Sequence, residues 1–311
     1  MSVSTLRLLV GLVILIAVLG GGLCAAVIAV GMLLSAPAPT AVGQPPLGLT
    51  GLERVEIPSA SGSKLHGWWI PSVIDGGGTV VLMHGVRGNR LQMVGRARVL
   101  NEHGFSVLLF DFQASGESPG HRITFGKLEG LDAAAAVSFV RDRRPNERVG
   151  VIGTSLGGAA ALLGPKPLAV DALVLESVYP DIDAALSNRL RVNLGRFAGL
   201  LFTPLLTPAF KLLLPPILGA APSELRPIDH IAMAGVPILI ASGSVDAYTP
   251  LTEAKELFDR ASEPKQVWAV EGAGHVDLEQ YDPVQYWDIV LPFLNRYLKR
   301  ENLTHKDSDA P

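Results

Sequence analysis

The sequence predicts an α/β protein: a mostly parallel central sheet flanked by helices, with a helical cap insertion, preceded by one N-terminal transmembrane helix. Three observations carry that prediction. Residues 8–34 are uncharged and nearly all aliphatic, Gly or Ala. Between 53 and 300, short β-branched apolar runs alternate with stretches of good helix formers, the pattern of a parallel, helix-covered sheet. Midway, Gly153-Thr154-Ser155-Leu156-Gly157-Gly158 pins a serine between such a run and the helix formers Ala159–Leu163.

The apolar N-terminal run would reach about 40 Å as a helix, against a bilayer core of about 30 Å, and is longer than the apolar region of a cleavable signal peptide. Residues 1–35 are accordingly expected to form a short cytoplasmic stub and a membrane anchor. The small residues Ser35-Ala36-Pro37-Ala38 leave cleavage open as an alternative. Arg7 lies on one side of the run, and no charge follows on the other until Glu53. The positive-inside tendency therefore places the rest of the chain on the extracytoplasmic side of a single-pass protein. Residues 36–52, rich in Pro and Gly, read as a linker, and 301–311 as a polar tail. The net charge of −3 has no basic concentration that would suggest nucleic acid, and the lone cysteine, Cys24, leaves no disulfide to form.

Beyond the linker, Glu53–Ser59 and Lys64–Pro71 read as a hairpin around Ser61-Gly62-Ser63. Thr79–Met83 and Ser106–Phe110 are continuous apolar runs, suited to strands buried on both faces. Arg90–His103 and Phe125–Arg143 have helical character. Ala172–Ser177, Pro237–Ala241 and Gln266–Val270 supply the later strands. Ligands and chemistry gather at the carboxyl ends of strands in such sheets.

The glycine-flanked serine has the nucleophile-elbow spacing G-x-S-x-G. A strand that turns straight into a helix crowds its own backbone, and glycines remove the side chains that would collide. Ser155 would then sit at a helix N-terminus, where amides can stabilise an oxyanion. The loop His84-Gly85-Val86-Arg87-Gly88 closes an adjacent strand. It can aim the Val86 N–H at the space before Ser155, paired with the N–H of Leu156, while His84 satisfies loop backbone groups. Asp111, which precedes the serine, reads as a carboxylate that organises its loop.

With His84-Gly85, the run Asp111–Ser118 and the elbow, the chain resembles the α/β-hydrolase superfamily, and within it the membrane-anchored abhydrolase-domain and serine-aminopeptidase-like branch. The resemblance spans roughly Glu53 to Lys299. Many relatives carry D-x-R-G-x-G-x-S where this chain has Gln113 and Ala114 in place of the arginine and first glycine. The family order of serine, acid, histidine implies Asp246, after the strand ending at Ala241, as acid, and His275, after the last strand, as base. Glu176 is a rival acid, and Asp246 has a competing reading as a helix cap. His66, His103, His121, His230 and His305 read as structural. The implied chemistry is acyl transfer through Ser155, His275 and Asp246, with Val86 and Leu156 as oxyanion donors and no cofactor or metal.

The stretch at about 179–232 is too long for a simple crossover. Its apolar, proline-broken middle is expected to form a cap within the domain 53–300, consistent with an acyl or lipid-like substrate. The expected function is ester or thioester hydrolysis by a membrane-held serine hydrolase. A peptidase or amidase of the same fold, and a catalytically idle binding module, are the alternatives.

Overall fold

The computed structural model describes residues 3–299 apart from 47, 50, 75 and 276; the tail expected at 301–311 lies outside the described residues. Helix α1 (Val3–Leu34) leads to a two-residue strand β1 (Ala38–Pro39). The central sheet has eight strands: β2 (Glu53–Pro58), β3 (Lys64–Ile70), β4 (Thr79–Met83), β5 (Ser106–Phe110), β7 (Val149–Thr154), β8 (Ala172–Glu176), β9 (Ile238–Gly243) and β10 (Lys265–Val270). Their order is β2-β3-β5-β4-β7-β8-β9-β10. The hairpin β2–β3 joins β5 antiparallel, and every other pairing is parallel. β4, β5 and β8 are buried along their whole length, which is why each reads as an unbroken apolar run rather than an alternating one.

Helices α2 (Val94–Glu102), α3 (Lys127–Arg143) and α4 (Leu156–Leu162) cross between the early strands, while a second short strand, β6 (Ser115–Gly116), pairs with β1. α5 (Ile182–Leu218) and α6 (Pro227–His230) form the insertion before β9; α7 (Leu251–Arg260), α8 (Leu278–Tyr281) and α9 (Pro283–Leu298) complete the layers. The core divides about the sheet. One side gathers Val81, Leu108 and Val151 with α3 and α4, and the other gathers Val80, Leu82, Val107 and Leu109 with α2 and α9.

Element boundaries differ from the sequence expectation for identifiable reasons. Phe125 (φ 53°) and Gly126 (φ 115°) hold left-handed backbone, so α3 starts at Lys127 rather than Phe125. Arg90–Met93 is a single 3₁₀ turn, capped by the Asn89 side chain on the Leu91 N–H, and the α-helix begins only at Val94. The expected linker is held against the domain. Ala38 N–H donates to Ala114 O at 2.8 Å, Thr40 N–H to Gly116 O at 2.8 Å, and the Glu117 carboxylate accepts from the amides of Val42 and Gly43. In the insertion, α5 bends at Gly195 (φ 77°, ψ 172°) and packs against α1.

Candidate active site

The elbow is a steric necessity as much as a motif. A methyl group built on Gly153 would lie 2.6 Å from the backbone of Gly157, and one on Gly157 only 2.3 Å from Met83 O. A larger residue at 153 would push β7 and α4 apart, and one at 157 would drive α4 off β4. Between them Ser155 takes φ 51°, ψ −110°, a conformation L-residues rarely hold without support. That support is local: its N–H donates to Glu176 O at 2.7 Å, and its carbonyl accepts from Ala159 N–H. Ser155 is 3% exposed, and its Oγ is buried with no hydrogen-bond partner.

A cleft of about 350 Å³ opens in front of this hydroxyl, bordered by Gly85, Val86, Ser155, Ser177 and His275. His275 reaches it from the loop after β10, and its Nδ1 lies 2.9 Å from Asp246 Oδ2. Asp246 is anchored in turn by its own loop. Its Oδ1 accepts the N–H groups of Tyr248 and Thr249, and its Oδ2 accepts the Thr249 hydroxyl at 2.6 Å. Burial pushes the Asp246 carboxyl up, but the bonds from His275 and Thr249 outweigh it and hold the group below the usual carboxylate range. The Tyr248 ring packs on the imidazole at 5.4 Å between centroids. Ser155 and His275 border one cleft without hydrogen-bonding to each other; such contacts commonly tighten only around substrate.

The loop after β4 supplies the other wall. His84 is fully buried, and burial holds its imidazole below the ordinary value despite opposing contributions from Gly85 and Asp111. Its Nε2 accepts the Phe112 N–H at 3.1 Å, which leaves Nδ1 to donate to Gly85 O at 2.8 Å. The Gly88 N–H then closes a turn on Gly85 O, with Arg87 at φ 58°. Val86 occupies the second position of that turn, whose N–H the turn itself does not use. Leu156 opens α4, so its N–H is likewise free of any intrahelical acceptor.

Glu176 and Asp111 serve other partners. Glu176 is fully buried, and its carboxylate accepts from the Arg96 guanidinium (2.8 Å), Thr154 Oγ1 (2.9 Å) and the Tyr286 hydroxyl. Arg96 continues to Asp277, two residues beyond His275. Asp111 binds the Arg90 guanidinium and accepts the amides of Arg90 and Glu117, which ties its loop together. Sequence reasoning passed over Thr249, Tyr248 and the Arg96–Asp277 pair. Thr249 lies inside the Asp246 loop and could have been noticed there; Arg96 offers no local signal, because its partners lie 80 and 181 residues away.

Residues 76–213 match the family model described as serine aminopeptidase, S33. A Mycobacterium tuberculosis protein, Rv2307c, is 31% identical over 263 residues, covering 83% of each chain. The chain belongs to this family of α/β-fold serine hydrolases. Escherichia coli K12 YfhR is a further relative, 26% identical over 259 residues and covering 78% of this chain and 82% of its own. Among solved structures, the Pyrococcus furiosus esterase Pf2001 superposes with a TM-score of 0.68 at 26% identity, over 85% of this chain and 98% of that one. The Penicillium α/β hydrolase GrgF superposes with a TM-score of 0.62 at 19% identity, a likeness of fold.

Proposed function

We propose that this chain is a membrane-anchored esterase that cleaves carboxylic ester or thioester bonds of acyl substrates through an acyl-enzyme, with Ser155 as nucleophile, His275 as base and Asp246 as its orienting acid. The observation that carries the reading is the Ser155 hydroxyl: unpartnered, held on a strained turn, and facing a cleft that it shares with a histidine bonded to a buried aspartate. The Pyrococcus likeness favours esters over amides.

In the first half-reaction the Ser155 oxygen attacks the acyl carbon while its proton passes to the imidazole. The tetrahedral oxyanion is received by the N–H groups of Val86 and Leu156. The imidazolium returns the proton to the leaving alcohol or thiol as the C–O or C–S bond breaks. Water, deprotonated by the same imidazole, then releases the acid and restores the serine. Asp246 stays ionised throughout and stabilises the imidazolium, a role suited to a carboxyl held below its usual range.

The anchor reading rests on α1, whose residues 9–34 have a mean hydropathy of 2.8 and are almost wholly uncovered by the rest of the chain. Arg7 on the N-terminal side favours a cytoplasmic N-terminus, with the domain of residues 53–300 outside. A reporter that is active only outside the cytoplasm, fused after residue 52, tests that sidedness. The nucleophile is tested by a fluorophosphonate probe. Wild-type protein should be labelled and Ser155→Ala should not; equal labelling of the variant removes Ser155 from the mechanism.

A further inference from the structure

Cap and anchor meet beside the serine. Beyond the bend at Gly195, α5 runs to Leu218 with two charged residues, Arg196 next to the bend and Lys211, whose ammonium is held 2.6 Å from Asp183. Thr203, Phe210 and Leu218 are buried against the domain. The other side carries Phe197 (87% exposed), Leu200 (78%), Leu201 (64%) and Leu212 (77%), large apolar side chains left bare on one helix, the kind of surface that marks a membrane or partner contact. α1 packs along α5, with Val27, Gly31 and Ser35 buried at i, i+4 and i+8. The exposed apolar surfaces of the two helices therefore adjoin. Next to that junction, a narrow apolar cavity ends at Ser155, with Leu34 of α1 in one wall and Ile182, Ala185 and Leu186 of α5 in another.

We infer that the second part of α5 is a further membrane contact, lying in the interface of the leaflet that holds the C-terminal end of α1. The substrate is then an acyl ester resident in that bilayer, whose chain passes between α1 and α5 to reach Ser155. This rests on the reading of α1 as an anchor and Ser155 as nucleophile. The bilayer, rather than a second copy of the chain, is the occupant because the exposed face of α5 continues the surface of the one described helix that is long and apolar enough to span. The bend at Gly195 and the internal prolines at 204, 208, 215 and 216 suit a helix lying in the interface better than a second crossing. Substrate entering here would present its carbonyl at the mouth between Val86 and Leu156 and leave its acyl chain against Leu34. The anchor thus becomes part of the binding site.

The test uses the full chain in phosphatidylcholine vesicles, with two substrates: water-soluble 4-nitrophenyl acetate and a long-chain 4-methylumbelliferyl ester dissolved in the bilayer. Replacing Phe197→Glu, Leu200→Glu and Leu201→Glu together should lower turnover of the bilayer ester by about tenfold or more and leave acetate turnover within about twofold. Unchanged turnover of both esters, or an equal loss on both, overturns the proposal. A second measurement is independent of activity. A fluorophore on Phe197→Cys, in a Cys24→Ala background, should be quenched by spin-labelled lipid; no quenching by lipid, or quenching only by a spin-labelled second copy, overturns the membrane contact. The two underlying readings fail differently. A wild type that fluorophosphonate does not label removes the nucleophile, while lipid quenching still decides the contact. A mature chain lacking α1 and recovered in the soluble fraction removes the anchor, and this proposal with it.

Discussion

At the residue scale, the site turns on which amide and which carboxylate do the work. Val86 sits at the second position of a turn, where proline is well tolerated, and Gly85 before it accepts the restriction a following proline imposes. Val86→Pro therefore deletes one N–H with little disturbance to the loop. If that N–H receives the oxyanion, kcat should fall on the order of 10²–10³-fold while the melting temperature holds, measured on 4-nitrophenyl acetate. A variant with wild-type kcat would move the oxyanion hole elsewhere. The two acids separate by a similar contrast. Asp246→Asn keeps shape but removes the charge that faces His275, so kcat should fall by roughly 10³–10⁴-fold in a protein that still folds. Glu176→Gln leaves the fully buried Arg96 guanidinium with Asp277 as its remaining anionic partner among the described residues, and its main effect should be lost stability, about 3–5 kcal/mol by denaturant titration. The pH sign for Asp246 follows from its depressed carboxyl. Its contribution to stability is present above the ordinary carboxylate range and is lost as pH falls through the lower folded value.

At the scale of elements, the cap is joined to the Asp246 loop by a polar clasp. Asn188 on α5 donates to Tyr248 O at 3.2 Å and to Glu253 Oε1 at 2.5 Å, in the first turn of α7. Burial pushes the Glu253 carboxyl up to about 7, with nearby Glu256, Asp181 and Asp246 adding to the rise against the Asn188 bond, and its Oε2 is buried without a partner. The sign is opposite to that of Asp246. The folded chain holds this proton more tightly than the unfolded one, so stability is lost as pH rises from the ordinary carboxylate range through about 7. Glu253→Gln removes that titration. Because the group is partly exposed, the gain should be modest, about 2–4 °C in melting temperature at pH 8 and nothing at pH 5. Equal melting temperatures at both pH values would mean that Glu253 does not ionise against the fold. The same elements mark what the sequence could and could not declare. Strands β4, β5, β7 and β8 were legible because burial on both faces confines polar residues to their ends. The elbow was legible because only glycine fits at 153 and 157. Thr249 and the Arg96–Glu176–Tyr286 cluster were not, because their meaning lies in partners that only the closed sheet brings together.

For the whole molecule, the unexpected feature is how firmly the N-terminal segment is built into the domain. The sequence suggested a span followed by a loose spacer, since Pro and Gly give no periodicity from which docking could be read. Instead, the carbonyls of Leu33 and Ala36 accept from the Arg87 guanidinium, Ile123 N–H donates to Ser35 O, and β1 pairs with β6 beside Ala114. Ala114 itself stands at φ 57°, where the family pattern has glycine, and its carbonyl takes the Ala38 amide. The chain's departure from that pattern thus lies where its own N-terminal segment docks. Gly31 is buried four residues after Val27 in the helix that packs against α5. Gly31→Leu should wedge the helices apart at a cost of about 1–3 kcal/mol, seen as a lower melting temperature of the full chain in detergent. On the anchor reading proposed above, membrane retention should be unchanged, since the substitution adds apolar surface to α1. If α1 were only a tether, the same variant would melt with the wild type; a fall in melting temperature with retention intact would make the anchor a structural part of the enzyme.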